Sequence, residues 1–127
     1  MDISAVLSGE WARLGLASRV EGGRIAIAIG SRGMAGIDAI ARCLATLIRE
    51  SGGEPFIVPA MGSHGGATPA GQLAVLASLG ITEARVGCPL RATMDTVTIG
   101  HTTAGLPVAL DRFAAEADGL IVVNRVK

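Results

Sequence analysis

The sequence predicts an α/β fold of the Rossmann-like kind: a mainly parallel sheet with helices on both faces, plus a β-hairpin. Three observations lead there. Residues 24–29, "RIAIAI", alternate isoleucine with alanine, so neither face of that strand is polar, as in a parallel sheet covered on both sides. Apolar strand-like runs alternate along the chain with segments of helical period. The links between them are short and carry Gly, Ser and Pro, which suits strand–helix–strand order.

Taken in order, residues 1–21 are the ambiguous stretch, and part of them is expected as a helix at the sheet edge. After "RIAIAI" comes "GSRGMAG", then a helix whose Ile37, Ile40, Ala41, Leu44, Leu47 and Ile48 are spaced three and four apart on one face. Asp38, Arg42, Arg49 and Glu50 point elsewhere. Gly52 and Gly53 end that helix, because glycine accepts the left-handed backbone of a C-cap. "EPFIVPA" is a second strand. Thr68 and Pro69 open a second helix, the threonine capping free amides and the proline standing where no N–H partner is needed. Leu73, Leu76 and Leu79 form its apolar stripe, and a shorter turn of helix starts at Thr82.

Residues 95–110, "DTVTIGHTTAGLPVAL", have the pattern of a hairpin. "DRFAAEA" is a short helix, and "DGLIVVN" another apolar strand. No internal repeat or low-complexity segment interrupts the order. A strand that reaches the last residue with no cap beyond it reads as a cut. The expectation is therefore one incomplete domain over residues 1–127.

Composition narrows the function. The only aromatic residues are Trp11, Phe56 and Phe113, so the core must rest on Ala, Val, Ile and Leu. So few rings also argue against a platform on which bases stack. Eleven basic residues balance eleven acidic ones, leaving no net field for nucleic acid or an anionic membrane. The longest apolar run, "GLIVV", is far too short to span a bilayer, and the N-terminus lacks a signal-peptide pattern. A cytoplasmic location is expected. Cys43 and Cys88 show no metal-ligand spacing and read as small buried hydrophobes.

In an open α/β sheet, ligands collect at the carboxyl ends of the strands. Three expected strand ends carry polar groups: Ser31 and Arg32, Ser63 and His64, Asn124 and Arg125. The glycines of "GSRGMAG", beginning with Gly30, let backbone approach a ligand, and the helix after it aims free N–H groups at the loop. Arg32 adds a two-pronged donor for carboxylate or phosphate. His64 stands among Gly62, Gly65 and Gly66 with little packing to serve, and imidazole can take and return a proton near neutral pH. His101 falls in the expected hairpin turn and reads as a surface residue. Ser63 adjoins His64 in sequence, poor geometry for a nucleophile–base pair. Asp118 stands at the wrong end of the last strand.

With those residues in view, the chain resembles the first part of the N-terminal domain of the nickel-dependent lactate racemase (LarA) family. The resemblance rests on "IAIAIGSRG", "EPFIVPAMGSHGGAT", "LGITEARVGCPLRATMDTV" and "ADGLIVVNRVK", in that order over most of residues 22–127. It implies a nickel pincer nucleotide that accepts hydride from the α-carbon of a 2-hydroxy acid, with histidines exchanging the hydroxyl proton. His64 matches the first of those histidines, and Arg32 the arginine of the phosphate- or carboxylate-binding pocket; Gly30 and Ser31 flank it as cofactor-binding residues. The family's acidic residue and proline-flanked arginine in the first loop are replaced here by Ile29, Gly30, Ser31, Arg32 and Gly33, which points to another 2-hydroxy acid or a sugar acid. The second histidine, the cofactor-bearing lysine and the nickel-binding histidine of the family would lie beyond Lys127. The resemblance thus implies a missing remainder of the domain, or a second chain, and no activity for this portion alone. The competing expectation is a stand-alone anion- or nucleotide-binding module without catalysis, or a merely structural domain.

Overall fold

The computed structural model describes residues 3–30, 36–59, 68–92, 96–101, 103, 107–111, 113 and 116–123. Helix α1 (Ile3–Arg13) and the short α2 (Leu16–Val20) lead into β1 (Arg24–Ile29). Helix α3 (Ile37–Glu50), β2 (Glu54–Pro59), α4 (Pro69–Ser78) and α5 (Glu83–Val86) follow, then β3 (Thr96–His101), β4 (Pro107–Asp111) and β5 (Gly119–Val123).

The central sheet has the order β2-β1-β5, and both pairings are parallel and in step. Beyond β2, Pro89–Arg91 adds a short parallel contact: Ile57 N–H donates to the Pro89 carbonyl and Arg91 N–H to the Ile57 carbonyl, each at 2.8 Å. The α/β class and the parallel sheet agree with the sequence. Strands β3 and β4 pair antiparallel as a separate ribbon whose register shifts between Thr98 and Gly100. The hairpin expected over 95–110 is left unsupported, since only Thr103 of the connection is described. His101 is the last residue of β3, opposite Pro107, and does not sit in the expected turn. Of the expected "DRFAAEA" helix, Arg112, Ala114 and Ala115 lie outside the described residues; Asp111 ends β4, and Phe113 and Glu116 are helical.

Strand alternation divides the core in two. Ile25, Ile27, Ile29 and Ile57 face α1–α5, whose Trp11, Val20, Ile48, Leu76 and Val86 join the same cluster. On the other face Ala26, Ala28, Phe56 and Val58 are buried with Phe113 and Ala117 against them. Complete burial of Ile27, Ile29, Ile48, Ile57 and Leu76 contributes about 1.5–3 kcal/mol for each side chain. β5 has no further partner strand among the described residues, and on that second face its Leu120 and Val122 are 40% and 58% exposed.

Local chemistry fixes the helix ends as the sequence suggests. Gly52 takes φ 88° after α3, a conformation that favours glycine. Gly53 is needed for space: a Cβ there would stand 2.7 Å from the Val20 carbonyl oxygen and 2.9 Å from Ile48 Cγ2. Thr68 Oγ1 accepts from Gly71 N–H at 3.0 Å, with Pro69 in the first turn of α4. Thr82 caps α5 through Arg85 N–H at 3.3 Å. The early chain forms α1 and α2, and α1 lies against α3, tied by Trp11 Nε1 donating to Ser51 Oγ at 3.1 Å. No helix among the described residues is long and apolar enough to cross a membrane.

Candidate functional site

Ile29 ends β1 with Pro59 beside it on β2 and Val123 beside it on β5. All three strands therefore run out at one level of one sheet edge. The chain builds outward from β1 to β2 and on to Pro89–Arg91, then returns to β5 on the opposite side of β1. That reversal makes the gap between the ends of β1 and β5 a topological switch point, where open α/β sheets form their binding crevice.

The helices add directed polarity. Gly36, at φ 80°, precedes α3 and offers no side-chain cap. The first amides of this fourteen-residue helix therefore take no side-chain cap from Gly36. They carry the positive end of the helix dipole, which suits an anion. α4 begins after β2 with one of its amides already taken by Thr68.

Of the residues singled out by sequence, Gly30 follows the buried Ile29 and is half-buried. Ser31, Arg32, Ser63, His64, Asn124 and Arg125 lie outside the described residues. The strand ends that flank them, Ile29, Pro59 and Val123, are brought together. Asp118 has a structural task at the other end of the sheet. Its Oδ2 accepts from Arg24 N–H and its own N–H donates to the Arg24 carbonyl, both at 2.8 Å, which seats β5 on β1. Both cysteines are free. Burial pushes the Cys88 thiol up to about 11, opposed by the nearby Arg49 guanidinium.

Two features escaped the sequence reading. Gln72 is the buried polar residue among those described, in the first turns of α4 and one turn before Leu76. Its spacing from Leu76 was the available signal, because residues four apart share a helix face. The second is a group of arginines at α3 and α5. Arg42 and Arg49 do face away from the sheet, but Arg85 of α5 joins them around one cleft.

Gly30, with no side chain, and a helix start with no side-chain cap from Gly36 are features of the kind that suit a phosphate group. Ile29, Pro59 and Val123 offer a metal nothing. Among the described residues there is no group of three or more His, Cys, Asp or Glu able to hold a metal ion. No family model, curated protein or solved structure matches this chain.

Proposed function

We propose that this chain is the amino-terminal portion of a LarA-like racemase or epimerase of 2-hydroxy acids, working by hydride transfer through a nickel pincer nucleotide, and inactive as this portion alone. The observation that carries the reading is the sheet edge. Ile29 ends between Pro59 and Val123, so "GSRG" and "PAMGSHGGAT" leave from adjacent strand ends, beside the switch-point crevice.

In this reading Gly30 and Ser31 give backbone access to the cofactor phosphate, and Arg32 pairs with a phosphate or the substrate carboxylate. His64 takes the hydroxyl proton as the α-hydrogen departs with its electron pair, leaving a 2-keto acid. When hydride comes back to one face or the other of the keto carbon, the proton is returned by His64 or by the second histidine of the pair, which belongs to the remainder of the domain or to a second chain. When bound, the cofactor supplies the hydride acceptor. The nickel ligands and the lysine that carries the cofactor belong to the remainder of the domain or to a second chain.

The test uses the complete polypeptide that carries this segment, loaded with the cofactor, and 2-hydroxy acids deuterated at the α-carbon. Racemisation with the label retained is expected, because hydride transfer does not exchange it with water. Loss of the label to solvent would mean proton abstraction and would sink the reading. His64→Ala should lower turnover by about a hundredfold or more, the scale of general acid–base catalysis. Turnover at the unsubstituted rate would remove His64 from the chemistry, and racemisation by residues 1–127 alone would overturn the claim that they are inactive.

A further inference from the structure

The geometry points to a second site, a cleft between α3 and α5 that takes the phosphate group of a small phosphorylated molecule, with the organic part lying in the groove between α1 and α3. The cleft, of about 250 Å³, is lined by Arg42, Thr46, Arg49, Arg85 and Gly87 among others, none of them acidic. Arg42, Thr46 and Arg49 recur at i, i+4 and i+7 on α3, one face over two turns. The fold adds Arg85 from α5.

Two of the three exposed guanidiniums are anchored. Arg49 Nη2 donates to the Gly87 carbonyl, which the left-handed backbone at Gly87, φ 77°, turns toward it. Arg85 Nη2 lies 3.0 Å from Asp38 Oδ2. Among the described residues no carboxylate pairs with Arg42 or Arg49, so three guanidiniums face one neutralising acid. Two unbalanced positive charges match a phosphate dianion better than a single carboxylate, and guanidinium forks suit phosphate oxygens. The chain as a whole is neutral, so this is a local concentration of charge and not a general basic surface.

Arg42, Thr46 and Arg85 also line a larger groove of about 490 Å³ that continues past Ala39, Cys43 and Leu47 toward Ser8, with Asp38 and Glu50 on its walls. The cationic cleft thus opens into a groove of mixed lining, in which Ala39, Cys43 and Leu47 are the apolar part and Asp38 and Glu50 the acidic part. A phosphate monoester with a compact organic group fits both parts. The site lies along the flank of α3 and is separate from the strand ends at Ile29, Pro59 and Val123.

The experiment is calorimetric titration of the 127-residue chain at constant ionic strength with inorganic phosphate, phenyl phosphate and benzoate. Saturable one-to-one binding is expected, tighter for phenyl phosphate than for phosphate and weakest for benzoate. Arg42→Gln and Arg85→Gln should each weaken phenyl phosphate by about tenfold or more, the scale of a charged hydrogen bond. Asp38→Asn, which frees Arg85, should strengthen it several-fold, and Arg19→Gln on α2 should leave it unchanged. Phenyl phosphate should also slow maleimide labelling of Cys43. Absence of saturable binding, indifference to Arg42→Gln and Arg85→Gln, or an equal loss in Arg19→Gln would overturn the site. Benzoate binding as tightly as phenyl phosphate would overturn the assignment to phosphate, and unprotected Cys43 would overturn the placement of the organic group.

Discussion

Trp11 Nε1 donates a hydrogen bond to Ser51 Oγ at 3.1 Å, joining the last turns of α1 to the C-cap of α3 across forty positions of sequence. The indole is 7% exposed and belongs to the main core cluster. One side chain therefore fastens the amino-terminal helix to the helix that runs between the two central strands.

Removing the acceptor should be felt, because it takes the partner from a part-buried N–H. Ser51→Ala is expected to destabilise the fold by about 1–3 kcal/mol. Trp11→Phe, which removes the donor and keeps a ring in the core, should cost less than Trp11→Ala, at about 3–5 kcal/mol. Urea unfolding followed by circular dichroism measures all three. Equal stability of Ser51→Ala and the unsubstituted chain would show the bond to be replaceable by water.

Much of this frame was legible because its signals are local. "RIAIAI" announces burial on both faces, the spacing of Ile37, Ala41, Leu44 and Ile48 announces the buried face of α3, and Thr68-Pro69 announces the start of α4. What was not legible depends on partners distant in sequence. "GLIVV" is as apolar as the inner strands, yet β5 leaves Leu120 and Val122 exposed, since a strand's own residues do not say what covers it. Asp118 looked idle at the wrong end of β5 until the sheet brought Arg24 to it. Arg42 and Arg49 could be read only as pointing away from the apolar face of α3, and the docking of α5 supplied Arg85. For the candidate site, the convergence of strand ends was legible from order alone, while Ser31, Arg32 and His64 lie outside the described residues.

Gly53 carries a steric prediction. Its added Cβ would fall 2.7 Å from a backbone oxygen at Val20 and 2.9 Å from Ile48 Cγ2. A backbone atom cannot step aside as the end of a long side chain can. Gly53→Ala should therefore lower stability by about 1–3 kcal/mol, the scale of overpacking. Gly9→Ala is the contrast: nothing lies within 4 Å of that position, which is inside α1. It should gain up to about 1 kcal/mol from helix propensity. Paired thermal melts decide; a neutral Gly53→Ala would mean that Val20 and the α3 terminus can separate freely.

The cap on α4 gives another. Thr68 Oγ1 satisfies Gly71 N–H at 3.0 Å, and Thr68→Ala should cost about 1 kcal/mol. Thr68→Ser keeps the oxygen and should recover most of the loss. Failure of serine to do so, in denaturant titrations of both variants, would assign the effect to the threonine methyl group instead.

Cys88 predicts a pH dependence on the alkaline side. Burial raises its thiol from 9.0 to about 11, so the folded state holds the proton more firmly than the unfolded chain. The contribution to stability is complete below about pH 9 and is lost as pH rises through about 11. Cys88→Ala should flatten that part of the stability profile relative to the unsubstituted chain. The same burial should leave Cys88 unreactive to a thiol reagent at about pH 8, while half-buried Cys43 is labelled. Labelling of both at equal rates in the folded chain would contradict the buried position.

The two faces of the sheet give the last prediction, because they divide neighbouring apolar residues into those that carry stability and those that do not. Ile27 is fully buried between Ile57 of β2 and Ile121 of β5, under the helices. Val122, on the adjoining strand and turned to the other face, is 58% exposed. Ile27→Ala should cost about 2–5 kcal/mol through lost burial and a residual cavity. Val122→Thr keeps the branched shape that suits a strand and should stay within about 0.5 kcal/mol. Denaturant midpoints of the two variants, measured at several protein concentrations, check both. A large loss in Val122→Thr that depends on protein concentration would mean that a second molecule covers β5 in solution. A large loss independent of concentration would mean that the chain itself covers it.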